Sequence, residues 1–178
     1  DIYDDDLKSA SARRIGPMTT ERPGEATADR VLAWLEGLGD DQPYFLWVHF
    51  YDPHLPYSPP SPWAESYRDR PYDGEIAYVD QQIERVFRAL RTSGEWDRTL
   101  VIATSEHGES LGEHGERTHS YTLYDAVLMV PMLVRGPGIP AARRVRGVVS
   151  TIDLAPTILA RAGLAPLADA DGLDLSPL

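Results

Sequence analysis

The amino-acid sequence predicts an α/β protein with a mostly parallel sheet flanked by helices. Two observations lead there. Leu100, Val101, Ile102 and Ala103 form an apolar run with β-branched residues at its centre, the pattern of a central strand covered on both faces. Strand-like and helix-like segments also alternate along the chain, which indicates a layered α/β architecture.

Residues 1–26 are polar and broken by Gly16-Pro17 and Pro23-Gly24, so they read as loop. Thr27 is suited to cap a helix running to about Leu38, with Val31, Leu32, Leu35 and Leu38 on one face and Gly39 as its stop. Tyr44–Phe50 reads as an aromatic-rich strand, and the prolines of 51–62 exclude regular structure there. A long amphipathic helix is predicted over 74–92, with Ile76, Val79, Ile83, Val86, Phe87 and Leu90 at helical spacing and Gly94 behind it. Glu84, Arg85, Arg88 and Arg91 fall mainly between those positions, as a solvated face would. A strand at 100–104 then enters a turn rich in Glu, His and Gly. A short helix within Tyr121–Leu128, a strand at 130–134 and a turn at Gly136-Pro137-Gly138 follow. A strand near 145–149 precedes a helix at 153–162, capped by Asp153 and stopped by Gly163. After Ala165 the pattern is weak.

With 178 residues, 42% of them hydrophobic and 25% charged, one domain with a sizeable core is expected. A net charge of −11 argues against binding nucleic acid, which needs a basic surface. The absence of cysteine excludes disulfides and thiolate chemistry within the chain. No apolar run approaches the ~20 residues of a membrane span. The chain opens on DIYDDD without an initiator Met, so further sequence is expected upstream.

Three places carry candidate chemistry. Ser105, Glu106, His107, Gly108 and Glu109 follow directly on the predicted strand, and ligands of open α/β sheets bind beyond the carboxyl ends of strands. A carboxylate beside an imidazole there makes half of a divalent-metal site; a solvated acidic turn explains the same residues. Glu109, Glu113, His114 and Glu116 fit a structural role better, as turn formers or solvated charges. The second place is His49, Asp52 and His54, where Asp52-Pro53 presents His54 on a loop beyond the strand. An imidazole there suits proton transfer near neutral pH. His49, inside the aromatic strand, reads as a hydrogen-bonded core residue, and Tyr57 as packing against the prolines. His119 is the third candidate, and Arg135 reads as structural.

The block SEHGESLGEHGE at 105–116, continued by TLYDAVLMVPMLVRGPGI, resembles the C-terminal part of the sulfatase catalytic domain, in the alkaline phosphatase superfamily. PYFLWVHFYDPHLPYSPP at 43–60, YDGEIAYVDQQIERVF at 72–87 and VVSTIDLAPTILARAGL at 148–164 extend the resemblance, in the family's order. The resemblance implies an α/β/α sandwich and hydrolysis of small-molecule or glycan sulfate esters with a divalent cation, calcium, held in part by Glu106 and His107. It implies that His54 contacts the ester and helps protonate the leaving oxygen, and that His119 contacts the ester oxygens. The family usually has Asp where this chain has Glu106. The extra methylene moves the carboxylate by roughly an ångström, against a tolerance of about 0.2 Å on metal–ligand distances.

The family's nucleophile is a formylglycine made in a C/S-x-P-S/A-R motif, and two further carboxylate ligands come from the first strand of the domain. This chain contains neither. It is therefore expected to be the C-terminal portion of a catalytic domain, inactive by itself, with the formylglycine outside it. Export to the periplasm or the extracellular space is implied by the resemblance alone. Two alternatives remain at this stage: a phosphomonoester or phosphonate-ester hydrolase of the same superfamily, and a non-catalytic sulfatase-like binding domain.

Overall fold

The computed structural model describes residues 4, 13–14, 20–39, 42–119 and 121–178. The chain divides into two compact units, Asp1–Trp96 and Asp97–Leu178, taken here in turn.

In the first unit, β1 (Arg13–Arg14) pairs antiparallel with β2 (Thr20–Glu21), inside a stretch read from sequence as loop; apart from Asp4, the remainder of 1–19 lies outside the described residues. Helix α1 spans Gly24–Glu36 and buries Gly24, Thr27, Ala28 and Val31, the i, i+3, i+4, i+7 spacing of one helix face. It starts three residues before the expected cap. Thr27 is buried in the helix, and the first amides are satisfied from afar instead. Asp52 Oδ2 accepts the Gly24 N–H at 2.9 Å, and the Tyr78 hydroxyl accepts that of Glu25 at 2.8 Å. The α2 turn (Trp63–Ser66) closes the proline-rich loop.

Helix α3 covers Pro71–Thr92, with proline in its first turn, where no amide donor is needed. Its buried face runs through Glu75, Tyr78, Val79, Gln82, Val86 and Leu90. Ile76, expected in the core, is 45% exposed because it falls beside that stripe. Ala28, Val31 and Val86 form the core between α1 and α3, covered by Leu35, Leu46, Val48 and Phe50. Gly74 lets the proline loop close on α3, since a Cβ there would stand 2.9 Å from Pro59 and 3.0 Å from Tyr67.

Residues 44–50 are extended and alternate between half-buried and exposed, but no ladder forms on them among the described residues. Phe45 and Trp47 are open to solvent, and His49 is exposed, not a core residue. Tyr57 packs edge-on against Tyr72, as its apolar body favours.

In the second unit, β3 (Val101–Thr104) pairs with β4 (Met132–Arg135) in register Val101↔Arg135 to Thr104↔Met132. The pairing is antiparallel. Neither sheet among the described residues is parallel, so the mostly parallel sheet is not found there. β3 is also not covered on both faces, because Ala103 and Thr104 are exposed. Arg135 donates to Asp97 at 2.7 Å, tying the start of the unit to the end of β4.

The strand expected at 145–149 is absent, and Val148 is fully open. Val145, Val148 and Val149, beside Arg143, Arg144 and Arg146, found no partner strand among the described residues. Helix α5 (Leu154–Arg161) begins from a 3-10 turn at Thr151–Asp153. The cap is Ser150, with Asp153 as the reciprocal member of a capping box. Asp153 also accepts the Leu173 N–H at 2.8 Å and the Ser150 N–H at 2.8 Å. Those two bonds hold its carboxyl below the usual carboxylate range. No helix among the described residues is long and apolar enough to cross a membrane.

Asp52→Ala removes the acceptor at the start of α1. The expected loss is about 1 kcal/mol, typical of a deleted helix cap, measured as a lower urea midpoint with an unchanged urea dependence.

Candidate functional site

At the end of β3 the chain turns through Ser105, Glu106 and His107. The Ser105 hydroxyl donates to the His107 carbonyl at 2.5 Å, tightening the turn. Gly108 then passes so close to the backbone of α4 (Asp125–Leu128) that a Cβ would collide with the Ala126 carbonyl. Its N–H donates to Val127 O at 2.6 Å. Glycine is required there by the close approach.

This turn places two side chains face to face. Glu106 Oε1 lies 3.3 Å from His107 Nε2. His107 Nδ1 is 2.8 Å from the Gly108 carbonyl, which can only accept, so the Nδ1 proton is fixed there. A carboxylate and Nε2 thus share one point in space, suited to an ion pair with imidazolium or to a cation held between them. Two donors about 2.3 Å from a cation and at right angles to it lie about 3.3 Å apart. The pair therefore has the bite of two metal ligands, and the longer Glu106 side chain reaches back to the imidazole. Among the described residues no group of three or more His, Asp or Glu side chains is arranged to hold an ion. The fit is that of a half-site.

His119 joins the pair from the far end of the loop. Its ring lies over that of His107, centroids 4.0 Å apart at 31°. Glu109 backs it, with Oε2 3.3 Å from His119 Nδ1. The Glu109 side chain is only 5% exposed, and among the described residues its Oε1 is buried without a hydrogen-bond partner. Two imidazoles therefore stack between two carboxylates. Together with Tyr121, Thr122 and Leu128, the residues Glu106, His107 and His119 line a cavity of about 360 Å³, within the range of small-ligand sites.

The other polar residues of the loop build it. Buried Ser110 sets its hydroxyl 3.1 Å from the Glu113 carbonyl and 3.0 Å from that of Glu116. Glu116 accepts the Tyr121 N–H at 3.0 Å and the Thr122 hydroxyl, anchoring one wall of the cavity. The Glu113 carboxyl lies below the usual carboxylate range through its own N–H and that of Leu111. His114 stacks on Tyr124 with centroids 3.8 Å apart. These three are structural, as the sequence suggests. Glu109, read from sequence as structural along with them, stands against His119 instead; their ten-residue separation carries no periodic signal.

His54 belongs to the first unit. Its Nδ1 donates to the Leu55 carbonyl at 2.8 Å, the Tyr51 hydroxyl lies 3.3 Å from Nε2, and the two rings are 4.5 Å apart.

The sequence profile described as Sulfatase matches residues 5–164. The chain belongs to the sulfatase family. It is 39% identical over 100 residues to "Extracellular sulfatase SULF-1 homolog" of Drosophila melanogaster, covering 56% of this chain and 9% of that protein. It is 38% identical over 106 residues to "Arylsulfatase K" of Bos taurus, covering 60% of this chain and 19% of that protein. The matched stretch of this sulfatase-family chain thus covers less than a fifth of the length of either relative. Among solved structures it is similar to the phosphonate monoester hydrolase of Agrobacterium radiobacter, with a TM-score of 0.78 and 26% identity over 96% of this chain and 45% of that one. The fold is alkaline phosphatase-like.

Glu109→Ala should leave His119 without its carboxylate partner. The ring nitrogen resonances of His119 are expected to shift in NMR spectra, while those of His107, tied to Gly108, keep the pattern of an Nδ1-protonated ring.

Proposed function

We propose that the protein carrying this chain hydrolyses sulfate esters of small molecules or glycans, and that this chain supplies part of its active site. The observation that carries the reading is the convergence of Glu106, His107 and His119 on one cavity at the end of β3, in a chain of the sulfatase family. Glu106 and His107 would hold a divalent cation, with calcium as the ion the family resemblance implies. When bound, such an ion supplies positive charge to the peripheral oxygens of the ester. His119 positions those oxygens, held in turn by Glu109. His54 gives a proton to the leaving oxygen, a task suited to an imidazole.

The formylglycine nucleophile and the remaining ligands are proposed to lie outside this chain, as are the strands that complete a mostly parallel sheet in an α/β/α sandwich. Exposed Phe45 and Trp47 and the open face of β3 support the second point. The chain by itself is then inactive. The extracellular relative in Drosophila melanogaster supports export.

A second reading is hydrolysis of phosphate or phosphonate monoesters. It is favoured by the likeness to the Agrobacterium radiobacter phosphonate monoester hydrolase, since both transition states place charge on peripheral oxygens.

Turnover of 4-nitrophenyl sulfate, phosphate and phenylphosphonate by the protein carrying this chain separates the two, the first reading requiring the highest kcat/KM on the sulfate. His54→Ala is expected to lower kcat by about 10²–10⁴ on esters with poor leaving groups. His107→Ala should weaken cation binding by about 10-fold or more, read by titration calorimetry with calcium and manganese. Unchanged affinity would remove the pair from the metal site.

A further inference from the structure

The largest fully buried side chain among the described residues is not apolar. It is Glu75, 2% exposed, on the core-facing stripe of α3. Its Oε2 accepts the backbone N–H of His54 at 3.0 Å, and its Oε1 accepts that of Ser58 at 2.6 Å. The segment that it holds contains prolines at 53, 56, 59, 60 and 62, none of which has an N–H to give. The loop therefore cannot build its own ladder, and two of its few donors go to one carboxylate.

We propose that Glu75 is a positioning residue for His54, its two oxygens clamping both ends of the 54–58 turn and so setting the imidazole against Tyr51. The clamp stands on geometry alone. Its consequence for catalysis rests on the reading of His54 as the acid for the leaving oxygen.

The clamp has a pH signature. Burial pushes the Glu75 carboxyl up to about 7; the Ser58 and His54 amides oppose this, and the carboxylates of Asp52 and Glu21 reinforce it. Asp52 and Glu21 are the charged groups that act on it among the described residues. A carboxyl raised in the folded state binds its proton more tightly there than in the unfolded chain. Its ionisation therefore lowers stability as pH rises from about 4.5 to about 7 and costs no more above that. The ionised form offers both oxygens purely as acceptors, but opening the clamp returns it to water, so the clamp weakens as pH rises from about 4.5 to about 7 and no further.

Amide hydrogen exchange in the protein carrying this chain tests it without a variant. The protection factors of His54 and Ser58, corrected for intrinsic rates, should fall about tenfold across about pH 6 to 8, because the opening that frees these amides also returns the Glu75 carboxylate to water. In Glu75→Gln the step should vanish; Glu75→Asp, one methylene too short to span both amides, should protect only one of them. Protection at His54 and Ser58 that is flat in pH, or a step that survives in Glu75→Gln, overturns the clamp. In the active enzyme, Glu75→Gln should lower kcat about 10-fold more for an alkyl sulfate than for 4-nitrophenyl sulfate, because only the poor leaving group needs the proton. An equal loss on both overturns the link to His54. A normal exchange step in a protein without sulfatase turnover would instead refute the proposed function and leave the clamp standing.

Discussion

Carboxylates that accept backbone amides hold the loops of this chain. Asp52 takes the first amide of α1, Glu75 takes two from the proline-rich turn, and Glu116 takes one from the cavity wall. Asp153 takes one at the start of α5 and one from the C-terminal tail. The reason is a shortage of other partners. Loops without strand neighbours leave amides that a buried structure must satisfy, and an ionised carboxylate is a strong acceptor with two oxygens. The net charge of −11 is thus partly a structural resource, not only a solvated surface.

That device decides what sits where in each unit. In the first, the buried carboxylate of Glu75 lies near the start of the core-facing stripe of α3, and the loop bearing His54 is attached directly to it. In the second, Ser110 and Glu116 shape the loop between Glu109 and Tyr121, so His119 returns to stack on His107. Gly108 completes the arrangement by letting the Glu106–His107 turn lie against α4. The candidate side chains are few; the surrounding acidic and glycine positions make their geometry.

The two imidazoles differ in how they are tied. His107 gives its Nδ1 proton to a carbonyl next to it in the chain, so its orientation is set within one turn. His119 depends on Glu109, a buried carboxylate with one oxygen unengaged among the described residues. A neighbour of this kind restricts the ring, as the role proposed for His119 on the ester oxygens requires.

The helices were legible in the sequence because burial of one face imposes a period. Val79, Val86 and Leu90 located α3 to within three residues of its start, and Gly94 and Gly163, both at positive φ, marked the ends of α3 and α5. The position of Glu106 and His107 beyond an apolar strand was legible for the same local reason. Three things were not. The start of α1 depends on Asp52 and Tyr78, 28 and 53 residues away from their amide partners. The partner and direction of β3 depend on which strand lies beside it, and an apolar run is equally compatible with either. Glu75 and Glu109 look in sequence like ordinary helix and turn charges, and only the folded chain buries them against His54 and His119. Periodicity reports which face of an element is covered; the partners of a buried polar group are chosen by residues far along the chain, and tertiary structure alone brings them together.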